Sequence, residues 1–163
     1  MVRQFKDLKK LQEYMEVSFP TILFNDKKFE SVLRNTMRQA VQDVVYKSYT
    51  PEMYDRREDN NGLSDTRLMQ ITDAMVTNGN LHIIFQNLAK GDDSLSGQYL
   101  ASTIENGIRE NWDSPDVRDK QGRKPSVPRP FVQETMNMIK VNPQPLVEAV
   151  KDAFRKVGFK VAN

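Results

Sequence analysis

The apolar stripe from residue 29 to residue 45 constrains the fold of this chain more than any other sequence feature. Its members recur at steps of three and four residues, which places them on one face of an α-helix: Phe29, Val32, Leu33, Met37, Ala40, Val41, Val44 and Val45. Asn25 or Asp26 can cap this helix by accepting hydrogen bonds from its free N–H groups. Pro51 disfavours the helical conformation for Thr50, so the helix is predicted to end near Tyr49. A helix of this length with one apolar face must pack on a core.

Residues 66 to 88 predict a β-hairpin. At its centre lies Asn78-Gly79-Asn80, a tight-turn signal because asparagine and glycine tolerate positive φ. On the second arm every other residue is apolar: Leu81, Ile83 and Phe85. On the first arm the residues that share one face of a strand are Met69, Ile71 and Met75. The first arm also fits a helical period, and we interpret it as a strand.

Two shorter helical segments lie outside these elements. Near the N-terminus, the spacing of Phe5, Leu8, Leu11 and Met15 predicts a short amphipathic helix. Ser18-Phe19-Pro20 is expected to end it. Residues 96 to 106 predict another short helix that buries Leu100 and Ile104, with Gly107 placed to cap its C-terminus.

Two helices are predicted at the C-terminal end, each opened by a proline in its first turn. Pro130 opens the first, whose apolar residues are Val132, Met136 and Ile139. Pro145 opens the second, whose apolar residues are Leu146, Val150, Phe154 and Val157. Gly158 ends the last helix, after which Phe159 and Val161 either fold back on it or add a short strand.

Together these elements predict an α+β fold, in which the long amphipathic helix and the C-terminal helices pack on a small antiparallel, hairpin-based sheet. The 163 residues suit a single domain covering residues 1–163. An N-terminal arm of about residues 1–20 is expected to be flexible. A loop of about residues 111–130 contains four prolines, one glycine and many charges, and is expected to be mobile.

Composition excludes several classes of protein. The chain has no cysteine, which rules out disulfides, zinc fingers and thiol catalysis. Its formal net charge of +2 predicts no strong electrostatic field. The N-terminal residues carry charges at short intervals and lack the apolar region of a secretory signal. No apolar run approaches the roughly 20 residues that span a bilayer, so no membrane association is expected.

No set of residues predicts an active site or a metal site. His82 is the only histidine, and a lone histidine on a hairpin arm is expected at the surface or half-buried. Asp59-Asn60-Asn61-Gly62 resembles the middle of an EF-hand loop, but the register places Arg57 and Leu68 where calcium requires oxygen ligands. A solvated turn with asparagines and glycine at positive φ is therefore preferred. We expect no catalytic residue, no metal and no cofactor, and hence no enzyme.

The mobile loop also carries the densest cluster of positive charge in the chain. Its cationic residues are Arg118, Lys120, Arg123, Lys124 and Arg129. Such a cluster can contact phosphates, although three aspartates dilute it and no aromatic residue is interleaved for base stacking. Three interpretations stay open: a solvated loop, a loop that orders against a protein partner, and a nucleic-acid contact.

Several short motifs occur in a recognisable order. The long helix ends at Tyr49-x-Pro51, and Tyr54-x-Arg56-Arg57 and then Gly62-Leu63 lead into the sheet. Further on come Tyr99 through Gly107, with its Ile-Glu-x-Gly ending, and Arg129-Pro130-Phe131 at a helix entry. In order and spacing these motifs resemble the tail-completion (neck) proteins of long-tailed double-stranded-DNA bacteriophages. The resemblance covers about two thirds of the chain, from residue 29 to residue 140. Residues 58–61 look like an insertion relative to the family.

The resemblance implies a structural subunit of the virion, assembled in the host cytoplasm. Such subunits form a homo-oligomeric ring between the head connector or adaptor and the tail terminator or tail tube, and leave a channel for DNA. A tail terminator or another ring protein of the virion is the nearest alternative. A nucleic-acid-binding module that uses residues 118–129 is a lesser one.

Tyr54, Arg56 and Arg57 form a candidate protein interface, because aromatic and arginine side chains are enriched at interface centres. The alternative is that Tyr54 packs locally on the long helix. In that case the two arginines would pair with a nearby carboxylate, at Asp55, Glu58 or Asp59.

Overall fold

The computed structural model describes residues 7–48, 56–91, 100–107 and 127–161. Its helices are α1 (Leu8–Asn25), α2 (Lys27–Ala40), α3 (Leu100–Asn106), α4 (Phe131–Val141) and α5 (Gln144–Lys156). A π-helical segment (Val41–Tyr46) follows α2, and a 3₁₀ turn (Thr66–Leu68) precedes strand β1 (Met69–Thr77), which pairs with β2 (Asn80–Asn87). Five helices and a two-stranded antiparallel sheet confirm the α+β class.

The long amphipathic helix forms as predicted, from α2 through the π-helical segment. The Asp26 carboxylate caps its start by accepting a 2.8 Å hydrogen bond from the Phe29 N–H. The fully buried members of the stripe are Phe29, Leu33, Met37, Ala40, Val41 and Val45. The helix ends at Tyr46, close to the predicted end, whereas Tyr49 and Pro51 lie outside the described residues. The final π turn was not predictable from the stripe, because its apolar spacing is the same as in an α-helix.

The chain divides into two compact units. The first unit comprises residues 1–33, 71–86 and 143–163, and the second comprises residues 34–70 and 87–142. Each unit has its own buried residues and is described separately below. That residues 1–163 act as one domain stays a prediction.

In the first unit, α1 continues through Pro20, so the prediction that Ser18-Phe19-Pro20 ends the helix is wrong. A proline inside a helix removes one backbone hydrogen bond. Here Pro20 is buried, and the Thr21 hydroxyl donates a 3.1 Å hydrogen bond to the Val17 carbonyl. Packing of this turn therefore offsets the cost of the proline. The helix occupies much of the region for which the sequence suggests a flexible arm.

An aromatic cluster joins α1 to α5 in the first unit. The Phe19 ring meets Phe154 edge-on at 4.5 Å between centroids, and Phe159 packs edge-on against both rings. Gly158 has a φ of +93°, which reverses the chain after α5. The Phe159 N–H then donates a 3.1 Å hydrogen bond to the Phe154 carbonyl. The prediction that the C-terminal residues fold back on the last helix is thus confirmed for Phe159.

The hairpin also forms as predicted, with its turn at Asn78 and Gly79. Their φ values of 53° and 74° are those of a type I′ turn, which suits the twist of a two-residue hairpin. The first arm is a strand, as we interpreted it. One detail differs: Met75 is 39% exposed although Ile71 is buried. Between them the Ala74 N–H bonds to the Asp73 carboxylate, and the inward face of the strand shifts by one residue, as at a β-bulge.

In the second unit, α4 packs against the π-helical segment, with Phe131 fully buried. Pro130 precedes the helix instead of lying in its first turn. The predicted apolar face of α4 is wrong, because Val132 and Met136 are 37% and 48% exposed. Thr135 faces inward instead, and its hydroxyl donates to the Phe131 carbonyl at 2.7 Å.

The remaining predictions are met in part. α3 begins at Leu100 and buries Ile104, and Gly107 follows it at a φ of +66°. Pro145 lies in the first turn of α5, as predicted, but Val157 is 55% exposed. The loop of about residues 111–130, which the sequence predicts to be mobile, falls outside the described residues except for residues 127–130. None of the helices described is long and apolar enough to cross a membrane.

Asp26 lies at the junction of α1 and α2, and its carboxylate pairs with Lys156 of α5. We expect its removal to lower the stability of the folded chain. Its side chain is 7% exposed and lies 2.6 Å from the Lys156 ammonium. Burial would raise the pKa of Asp26, but hydrogen bonds from Lys156 and from the Phe29 N–H hold that pKa below 3.8. The stabilisation is therefore complete above the pKa of the unfolded chain and is lost as pH falls through the lowered folded value.

We expect Asp26→Ala to lower the free energy of unfolding by about 1–2 kcal/mol at pH 7, since a cap and an ion pair are both lost. Asp26→Asn keeps a good capping side chain and should cost less. Urea denaturation measures the loss of each variant relative to the native chain, and both losses should shrink as the pH falls below 3.8, where the native carboxylate itself becomes protonated. Equal losses for the two variants at pH 7 would contradict a capping role.

Candidate functional site

Arg56, a predicted interface residue, stacks on the end of the long helix. Its guanidinium carbon lies 4.8 Å from the centre of the Tyr46 ring, in cation–π geometry. Nη1 donates a 3.1 Å hydrogen bond to the Tyr46 carbonyl, which satisfies one of the free carbonyls at the helix end. Nη2 is buried without a hydrogen-bond acceptor among the described residues. Burial also raises the pKa of the Tyr46 hydroxyl above 10.0.

Arg57, the neighbouring interface candidate, is half-buried and donates to the Lys90 carbonyl. Both arginines thus bond to backbone carbonyls of the second unit. From the sequence, an interface role and pairing with a nearby carboxylate were both open, and these two carbonyl contacts do not decide between them. Their contacts hold the segment after residue 55 against the end of the long helix and against the chain that leaves β2.

The carboxylate of Asp59 is bound by residues that sequence reasoning did not single out. Arg38 donates to Oδ2 at 2.6 Å, and the fully buried Ser64 hydroxyl donates to Oδ1 at 2.8 Å. The Ser64 N–H in turn donates to the Tyr46 hydroxyl oxygen at 3.2 Å. This network ties the turn after Arg57 to two positions on the long helix.

Asp65 anchors the other end of the same turn. It accepts hydrogen bonds from the Asn61 N–H at 3.0 Å and from the Arg67 N–H at 3.0 Å, and it pairs with the Arg67 guanidinium at 2.6 Å. The Arg67 guanidinium, more than any other group, holds the pKa of this buried carboxyl well below its usual range. Hydrogen-bond donors of the protein therefore already bind the carboxylates of Asp59 and Asp65, the two aspartates in the stretch that resembles a calcium loop. In the part of the chain that the structure describes, no cluster of side chains is arranged to hold a metal ion.

Gly62 is required for a different reason than the sequence suggested. The turn residues at positive φ are Glu58 and Asn61, at 42° and 60°, and Gly62 is not among them. A Cβ at Gly62 would lie 2.5 Å from the Glu58 carbonyl oxygen and 2.6 Å from its backbone nitrogen. Close approach of two backbone segments thus excludes any side chain at this position.

Two motifs that are distant in sequence meet in the second unit. The Arg129 N–H donates a 3.0 Å hydrogen bond to the Ile104 carbonyl. The Glu105 carboxylate accepts from the Val132 N–H at 2.8 Å and from the Gln133 N–H at 3.2 Å. Glu105 therefore caps the N-terminus of α4, where a negative charge also suits the helix dipole.

The other predicted site residues divide into two groups. Arg129, a predicted interface residue in the basic cluster, is only 5% exposed, so its side chain does not face solvent. The candidates outside the described residues are Tyr54, Arg118, Lys120, Arg123 and Lys124. Their role in an interface stays a prediction. His82 is exposed on β2, as expected.

Comparisons with known proteins give one match. The model of the family described as YomN covers residues 7–156, which is most of the chain. No curated protein and no solved structure matches the sequence or the fold.

We expect Gly62→Ala to lower the free energy of unfolding by about 1–3 kcal/mol, because a Cβ collides with backbone that cannot rotate away. Asn60→Ala is the matched control: this side chain is exposed in the same turn, and its loss should change stability by about 0.5 kcal/mol or less. Thermal and urea unfolding measure both. Similar stability of the two variants would show that Glu58 can move aside.

Glu105→Gln should lower the free energy of unfolding by about 0.5–2 kcal/mol, because it removes a charge and one acceptor from the start of α4. Glu134→Gln makes the same change of charge in the first turn of α4 itself and serves as the control. Urea denaturation at pH 7 compares the two. If both substitutions cost the same, the cap contributes no more than the general effect of charge.

Proposed function

This chain belongs to the YomN family, which is phage-associated, and we propose that it is a structural virion protein of the head–tail junction. In this role it completes the tail as a neck protein. Copies of the chain form a ring that joins the tail to the head and leaves a channel through which DNA passes. The chain binds and seals, and it does not catalyse a reaction.

The observation that best supports this proposal is the position of the motifs that resemble tail-completion proteins. Every described residue of those motifs lies in the second compact unit, within residues 34–70 and 87–142. Each motif performs a structural task there: Arg56 holds a helix end, Gly62 permits close backbone approach, and Glu105 caps α4. All three tasks are architectural, which suits a subunit whose work is to bind its neighbours.

The proposed partners are other copies of the chain in the ring, the head connector or adaptor, and the tail terminator or tail tube. One surface suited to such contacts is the outer face of α4, where Val132 and Met136 lie one turn apart and are both exposed. Exposed apolar side chains that are neighbours on one face are typical of protein–protein contacts. We place the assembled protein in the virion and its assembly in the host cytoplasm.

Deletion of the gene from the phage or prophage that encodes it tests this proposal. We expect the lysate to contain filled heads and separate tails of normal length, because a sealed joint cannot form without the neck ring. Electron microscopy of particles that carry an epitope-tagged chain should show the label at the junction. Joined, infectious particles from the deletion would overturn the proposal.

The same experiment separates the alternatives. A tail terminator stops growth of the tail, so its loss should yield tails of uncontrolled length instead of tails of normal length. A nucleic-acid-binding module would show affinity for a duplex that falls steeply with salt. Burial of Arg129 leaves that module with one fewer exposed cation than the sequence suggested.

A further inference from the structure

Strand β2 lies at an edge of its sheet as far as the described residues show, because the sheet there contains only one other strand, β1. The two residues that flank a two-residue turn, here Thr77 and Asn80, form a hydrogen-bonded pair. The backbone N–H and C=O groups of Asn80 and of the other even-numbered residues of β2 therefore point towards β1. The same parity holds at Leu88, whose N–H donates to the Leu68 carbonyl at 2.8 Å. The backbone groups that point away from β1 are therefore those of the odd-numbered residues of β2, which are Leu81, Ile83, Phe85 and Asn87.

This edge lacks the features that normally prevent pairing with another strand. Natural edge strands are protected by charged side chains, proline or bulges. Residues 80–87, Asn-Leu-His-Ile-Ile-Phe-Gln-Asn, contain no lysine, arginine, aspartate, glutamate or proline. Strand β1 differs, because it carries Asp73 and the bulge beside it. Of the two strands, β2 is the one whose outer edge is free to pair.

The side chains of the hairpin are also incompletely covered. Leu81 is 37% exposed and Ile84 is 41% exposed, and these two residues point to opposite faces of the sheet. Ile83 and Phe85 are half-buried. A sheet of two strands is marginal in water, and further strands stabilise it by covering such side chains.

We propose that β2 pairs with β2 of a second copy of this chain, antiparallel and about a two-fold axis, to give a four-stranded sheet. Strand β2 carries no formal charge, so two copies of it can pair without repulsion between like charges. Self-pairing requires this, because every charge on the strand would meet or approach its own copy. With the axis at Ile83, three of the four outward-facing residues find partners: Ile83 lies opposite Ile83 of the copy, and Leu81 opposite Phe85. Both kinds of pair bring apolar side chains together and remove apolar surface from water.

The inference goes beyond the proposed function and does not depend on it. It concerns the association of free chains in solution, whereas the proposed role at the head–tail junction is tested in phage particles. A two-fold pair closes on itself, so the inference describes free copies of the chain and not their arrangement in a ring.

The absence of cysteine from the chain permits a specific test. In an antiparallel hydrogen-bonded pair the Cα atoms are about 5.5 Å apart, which is within the range that a disulfide bridges. The full-length Ile83→Cys variant should therefore form a disulfide-linked dimer under mild oxidation. Thr77→Cys, near the turn end of β1, is the control and should stay largely monomeric on a non-reducing gel.

A second variant tests the backbone contact itself. Ile83→Pro removes an outward-facing N–H while leaving the ladder between β1 and β2 intact. Light scattering after size exclusion should show a dimer for the native chain. For the variant, the dissociation constant should rise roughly tenfold or more, since a central hydrogen-bonded pair is lost. Circular dichroism confirms that the variant is folded, and if it is not, Ile83→Cys alone decides.

Three results would overturn the proposal. One is a native chain that stays monomeric at every concentration tested, and another is cross-linking at residue 77 that equals cross-linking at residue 83. The third is an oligomer in which residue 83 forms no disulfide, because self-association would then use another surface. If the edge of β2 pairs only with a different protein, the native chain by itself will stay monomeric, which is the first of these results.

Discussion

One buried stripe along a single helical segment supplies apolar side chains to both compact units. Phe29 and Leu33 belong to the first unit, and Met37, Val41 and Val45 belong to the second. Burial of such side chains contributes roughly 1.5–3 kcal/mol each, which makes the stripe a major source of stability. The capping residue at the start and the Arg56 stack at the end fix the limits of this helix. The other elements of each unit have to pack against the part of the stripe that the unit contains.

Three carboxylates perform a similar task in different places. Asp26, Asp65 and Glu105 each accept backbone N–H groups at the start of a helix or turn. Two of them also pair with a cation, Lys156 or Arg67, which compensates for the cost of burying a charge. Asp65, from the stretch that resembled a calcium loop in the sequence, therefore has the same architectural role as Asp26 and Glu105. Their chemistry is that of capping, which needs no ligand.

The surfaces with a proposed role differ in character. The outer face of α4 in the second unit offers exposed apolar side chains on a capped helix. The outer edge of β2 in the first unit has no neighbouring strand among the described residues, and the strand carries no formal charge. The two proposed contacts would therefore use separate surfaces of this phage-associated chain. Membership of the YomN family supplies the phage context, and these surfaces supply the contacts that we propose.

The sequence by itself determined the features that depend on residues close together in the chain. The stripe of the long helix, the Asn78-Gly79 turn and the reversal at Gly158 all follow from periodicity or from the conformational freedom of a few residues. The tertiary structure decided the features that depend on distant partners. Pro20 stays inside a helix because its neighbours are packed, and the inward face of α4 differs from its apolar pattern. Glu105 binds N–H groups 27 and 28 residues away, a distance over which no local pattern specifies a contact.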